Sequence, residues 1–175
     1  QDGAERLWPG NDELLENRTR MLRYRDPHAG LRELDRLGVA ASEISPLIRL
    51  ELKYLADPDE ATIDEMRRSA EQNFAIDRST AWQTAATMTR IGRIDLALEW
   101  LRRAPRRQAN SQWSLLFSRD AAALRREPQF FQAMAQLGLV EFWRKRRVWP
   151  DFCSEPGLKY DCRREAAKPT ANPPK

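Results

Sequence analysis

Cys153 and Cys162 are the two cysteines of a 175-residue chain, and the eight residues between them include Pro156 and Gly157, which allow the segment to turn back on itself. Three chemistries fit such a pair. A disulfide closing the loop would stabilise the fold by about 2 to 3 kcal/mol in the chain-entropy treatment, and would favour an oxidising compartment. Two reduced thiols would suit a cytosolic protein. Half of a zinc site would need four ligands, and the single histidine, His28, lies far away in sequence beside a proline turn. The disulfide is the first expectation, and no metal or cofactor is expected.

Other reactive side chains have structural explanations. His28 follows Pro27 in the first turn of a predicted helix and reads as a surface residue. Asp57, Asp59 and Glu60 read as helix caps. The chain carries no Gly-x-Ser-x-Gly elbow, no glycine-rich phosphate loop and no close carboxylate pair between apolar walls, so no catalytic residue is assigned. Arginine gathers in two places, Arg102, Arg103, Arg106 and Arg107, then Arg144, Lys145, Arg146 and Arg147. Cations at helix C-termini complement the negative end of the dipole. Thirty Lys and Arg against 26 Asp and Glu leave a formal charge of +4, which by itself does not define a nucleic-acid binder.

The elements that must position these residues read as helices throughout. Alternating Val, Ile and Thr runs and Asn-Gly or Asp-Gly turns are missing. A first helix is predicted over 12–25, with Leu14, Leu15, Met21 and Leu22 on one stripe. Asp26 caps and Pro27 opens a second, which stops at Gly38. A third runs from about Glu43 to Ala56, apolar over more than one face. Asp57 as N-cap, Pro58 at the first helical position and Glu60 reaching back start a fourth, which continues to about Phe74. Ser79 or Thr80 begins a helix that ends at Gly92, and its partner spans 93–103 before Pro105 halts it. Short helices follow near 110–117 and 121–125. Glu127 and Pro128 start one that ends at Gly138, and its mate runs over 139–147. Pair starts near 12, 43 and 79 are separated by intervals in the thirties, as in a two-helix repeat.

Residues 81–104 resemble a tetratricopeptide repeat. The matching positions are the small Ala85, Ala97 and Ala104, the bulky Met88 and Leu101, and the turn glycine Gly92, while Thr84 stands where the family prefers leucine. Residues 127–162 carry Glu127-Pro128-Gln129-Phe130, Leu137-Gly138-Leu139-Val140-Glu141-Phe142-Trp143-Arg144, Val148-Trp149-Pro150-Asp151-Phe152-Cys153 and Tyr160-Asp161-Cys162. This segment resembles the C-terminal region of bacterial tetratricopeptide-repeat proteins, which include winged-helix transmembrane transcriptional regulators. The resemblance implies an all-α fold of antiparallel helix pairs stacked as a short right-handed solenoid. It also implies a sensor or interaction role, on the periplasmic side of an inner-membrane protein or else in the cytoplasm.

The division expected is a helix-pair array over 1–126, capping helices and a cysteine-containing tail over 127–165, and a disordered tail over 166–175. The chain opens on Gln1, so it is expected to be a processed protein or a piece of a longer one. No stretch reaches the roughly 18 apolar residues of a membrane span, so no membrane insertion is expected. The leading expectation is a non-enzymatic module holding a protein or peptide in a concave groove lined by Ser79, Trp82, Ala86, Thr89 and Arg90. The rival is a basic module that holds nucleic acid or an acidic partner through the arginine clusters, and a homodimer is a third reading. The aromatic group Phe142, Trp143, Trp149 and Phe152 is expected to fold back and cover the end of the stack.

Overall fold

Proline and aspartate punctuate the chain into helices, and the computed structural model, which describes residues 21–37, 46–105 and 116–168, shows where each break falls. Every regular element among the described residues is helical, and none is a strand. After a helical stretch at 21–25 come α1 (Pro27–Leu37), α2 (Pro46–Ala56), α3 (Glu60–Ile76), α4 (Thr80–Arg90), α5 (Ile94–Arg103), α6 (Ala122–Arg125), α7 (Pro128–Gln136), α8 (Leu139–Arg146) and α9 (Cys162–Ala166). Short 3-10 turns cover Arg119–Ala121 and Asp151–Ser154. Of the helix expected over 110–117, residues 110–115 lie outside the described residues, as does the start of the first helix. Of the tail expected to be disordered over 166–175, Ala166 ends α9 and 167–168 follow it, while 169–175 lie outside the described residues.

The chain forms two compact units, Gln1–Glu71 and Gln72–Lys175. The boundary expected at 126/127 is not where packing divides, because α5 and α6 pack with α7 inside the second unit.

In the first unit α1 packs on α2 around Leu34, Leu47 and Leu52. Asp26 caps α1 as expected, its Oδ1 accepting from the Ala29 N–H at 2.9 Å. The stripe expected to include Met21 is rotated: Met21 is exposed, whereas Arg23 is buried against Glu51 of α2 at 3.1 Å, with side-chain exposures of 7% and 0%. Two charges taken from water require each other, and that pairing overrides the apolar pattern. The cap of α3 also differs from expectation. Asp57 and Pro58 precede the helix, and Asp59 is the cap, accepting from the Thr62 N–H at 2.7 Å and the Thr62 hydroxyl at 2.5 Å. Those bonds hold the Asp59 carboxyl below its ordinary range. Glu60 consequently occupies the first helical position, two residues too early to reach back as a third-position partner.

In the second unit Asp77, which sequence spacing did not single out, organises the start of α4. Its carboxylate accepts from the Ser79 N–H at 2.8 Å and the Ser79 hydroxyl at 2.6 Å, and neither Ser79 nor Thr80 caps through its own side chain. Three residues then connect α4 to α5. The Arg93 N–H donates to Met88 O at 2.9 Å and the Gly92 N–H to Thr89 O at 3.0 Å, a Schellman closure. Gly92 sits there at φ +80°, where any side chain would be strained. Ala85 and Ala97 are fully buried where α4 and α5 pack, so backbones approach closely over them. Thr84 is buried as well, with its hydroxyl satisfied by Thr80 O at 3.0 Å, which lets a polar residue take the place of leucine.

Candidate docking cleft

The second unit is completed by a tail that folds back over α6 and α7, and that route builds an open cleft of mixed chemistry. Phe130 and Phe131 of α7 are buried, and Phe152 meets Phe130 edge-on at 5.5 Å and Trp143 at 5.8 Å. Tyr160 lies 5.5 Å from Phe131. Edge-to-face contacts of this kind orient the rings and fix the path of the chain. Trp143 and Phe152 therefore do cover the helices, while Phe142 is exposed and Trp149 is half-buried.

Polar contacts fasten the same segment. Arg125, buried at 4% exposure, donates from Nε and Nη2 to the Glu155 carboxylate at 3.2 and 2.6 Å. Its Nη1 donates to Leu116 O at 3.0 Å and Ser118 O at 2.6 Å. A planar fork satisfied on both sides is a bond that lysine cannot copy. The Tyr160 hydroxyl donates to Arg125 O at 2.8 Å, and the Lys159 N–H to Arg126 O at 3.1 Å. Burial pushes the Tyr160 hydroxyl well above its ordinary pKa, against the opposing pull of the Arg125 charge. Cys153 and Cys162 are joined by a disulfide, with Cα atoms 5.8 Å apart. Asp161 caps α9 by accepting from the Arg164 N–H at 2.8 Å, and α9 packs on α7.

With α9 fixed there, a cleft of about 760 Å³ opens between the α7–α8 turn and the tail. Gly138, at φ +79°, makes the turn, and Ala135, Val140, Ala166 and Ala167 give the lining its aliphatic part. Trp149 stands at the side, and Glu141, Arg144, Arg163 and Lys168 complete the lining. Arg144 pairs with Glu141 at 3.4 Å and Lys168 with Glu165 at 2.6 Å. Arg163 is exposed and has no ion-pair partner among the described residues. Such a surface can seat an apolar side chain and attract negative charge around it.

The residues that the sequence placed on an open groove sit elsewhere. Ser79, Trp82, Ala86 and Thr89 are each at most 4% exposed, so they are interior residues of α4 and its entry turn. The Thr89 hydroxyl donates to Ala85 O at 2.8 Å. Arg90 is half-buried, with Nη2 donating to Thr87 Oγ1 at 2.9 Å. The physical reason is that α4 is buried on nearly every side and packs against both α5 and the Arg119–Ala121 turn, which leaves it no open face.

The arginine clusters are also partly engaged. Arg103 stacks over Trp100 at 4.0 Å and over Phe74 at 4.5 Å, and Lys145 joins Arg144 on Glu141, at 3.8 Å. Arg146 lies over Phe142 at 5.7 Å, and Arg147 closes α8 in the left-handed region at φ 55°. Arg106 and Arg107 lie outside the described residues. His28 is exposed on α1. Among the described residues no group of three or more His, Cys, Asp or Glu is placed to hold a metal ion. No helix among them is long and apolar enough to cross a membrane.

The chain matches no protein-family model, no curated protein and no solved structure.

Proposed function

We propose that this chain is a tetratricopeptide-like helical module that binds a protein or peptide partner without catalysing a reaction, as the sensing or interaction part of a bacterial signalling or regulatory protein. The observation that carries this reading is the open cleft beside tightly packed helix pairs. The helices bring apolar, charged and aromatic side chains together in one cleft, a mixture that peptide-binding surfaces use. The α4–α5 hairpin, with its Gly92 turn and its alanine seam, supports the repeat-like stacking. The disulfide supports an oxidising compartment such as the periplasm.

The nucleic-acid reading is weaker. Arg103 is committed to aromatic rings, and Arg144 and Lys145 share one carboxylate, which leaves fewer cations for a phosphate backbone. The test is panning of random-peptide display libraries against the oxidised chain. Recovery of related peptides that compete with one another for the chain is expected. Failure to enrich any peptide above background would overturn the reading.

A further inference from the structure

We infer that the cleft between the α7–α8 turn and α9 takes an acidic peptide segment that seats an apolar side chain on Val140. This rests on the module reading above and adds the chemistry and place of the partner. Arg144, Arg163 and Lys168 line the cleft with one carboxylate, Glu141, which pairs with Arg144, while Lys168 pairs with Glu165 next to it. Arg163 brings charge that no carboxylate among the described residues neutralises within ion-pair distance. Val140 and Trp149 line the same cleft with Ala135, Ala166 and Ala167, so it favours an apolar group with an anion beside it.

Nucleic acid fits less well. Phosphates would have to line up along a track of cations, whereas here a carboxylate, Glu141, and several apolar residues share the lining. A peptide with one apolar residue between carboxylates meets both demands, its side chain removed from water below and its charges paired above.

The experiment uses an end-blocked, fluorescein-labelled decapeptide with a single phenylalanine flanked by glutamates, and a matched peptide with glutamines in place of the glutamates. Binding to the full oxidised chain is read by anisotropy. The acidic peptide should bind about tenfold more tightly than its glutamine counterpart. Arg163→Glu should weaken it by about tenfold, and Arg144→Glu should weaken it too. Glu141→Gln should strengthen it, a sign that general damage to the fold would not produce.

All three positions are exposed, and circular dichroism of each variant checks that the helices persist. Equal binding of the two peptides, or insensitivity to Arg163→Glu in a folded variant, overturns the inference. Peptides recovered by panning that ignore these three substitutions would sink it while leaving the module reading in place. A deoxythymidine 20-mer or phosphatidylserine vesicles binding more tightly than the acidic peptide, and losing that binding in Arg163→Glu, would also overturn it.

Discussion

Replacing Arg125 by methionine keeps the length and apolar stem of the side chain and deletes its guanidinium. Two consequences follow from the contacts. The Leu116 and Ser118 carbonyls lose their donor, and the first of those bonds is buried; leaving a buried acceptor unpaired costs about 1 to 3 kcal/mol. Glu155 loses both teeth of the fork, but its side chain is 30% exposed and water can replace the cation, so that part is worth about 1 to 2 kcal/mol rather than the larger penalty of a sealed pair. The methionine regains part of this through its own burial, leaving a net loss of about 3 kcal/mol.

Urea unfolding followed by tryptophan fluorescence should shift by about 1.5 M at a slope near 2 kcal/mol per molar. Hydrogen exchange should accelerate in 119–131 and 151–166 first. A double-mutant cycle with Glu155→Gln should return a coupling of about 1 to 2 kcal/mol, and Arg125→Lys should recover less than half the loss. A shift below about 0.5 M, or additivity of the two substitutions, would refute the view that this fork fastens the tail.

Two further outcomes are expected. Reducing the disulfide, or replacing both Cys153 and Cys162 by serine, should lower the stability of the second unit by about 2 to 3 kcal/mol, seen as a lower urea midpoint; an unchanged midpoint would mean the loop is already held by its other contacts. Tyr160 has a raised pKa in the folded chain, so its contribution is complete below the unfolded value near 10 and is lost as pH rises above it. Tyr160→Phe should therefore cost about 1 kcal/mol at neutral pH and should flatten the alkaline fall in stability, and a fall of unchanged steepness would contradict this.

Sequence reading works here where the signal is local. Asp26 before Pro27, Gly92 between two helices and the closely spaced cysteines each act within a few residues, and each does in the structure what its type and spacing suggest. Asp77 was missed, and Asp57 was preferred to Asp59 as the cap of α3, because several acidic and hydroxyl residues compete at each helix start and only the exact turn of the chain decides among them.

The Arg23–Glu51 pair was invisible for a different reason: periodicity assigns charged residues to the solvent face, and burying both ions depends on a partner on another helix. Arg125 illustrates the limit most clearly, since Glu155 lies 30 residues away and Tyr160 lies 35. The cleft is assembled from 135–149 and 163–168, two stretches with no motif in common. Trp82 attracted a binding role because of its residue type, yet type alone does not say whether an aromatic faces outward.

The tail fastened to Arg125 also sets the order in which the chain can finish folding as it is made. Phe130, Phe131 and Trp143 emerge before Phe152, Tyr160 and Cys162, whose contacts cover and lock them. At roughly 5 to 20 residues per second, the delay between α7 and its cover is on the order of seconds. During that interval the nascent chain exposes an oily surface, and the late cysteine acts as the final latch. A stalled or clipped product ending before Cys162 would keep that surface open and become a client for chaperones or proteases.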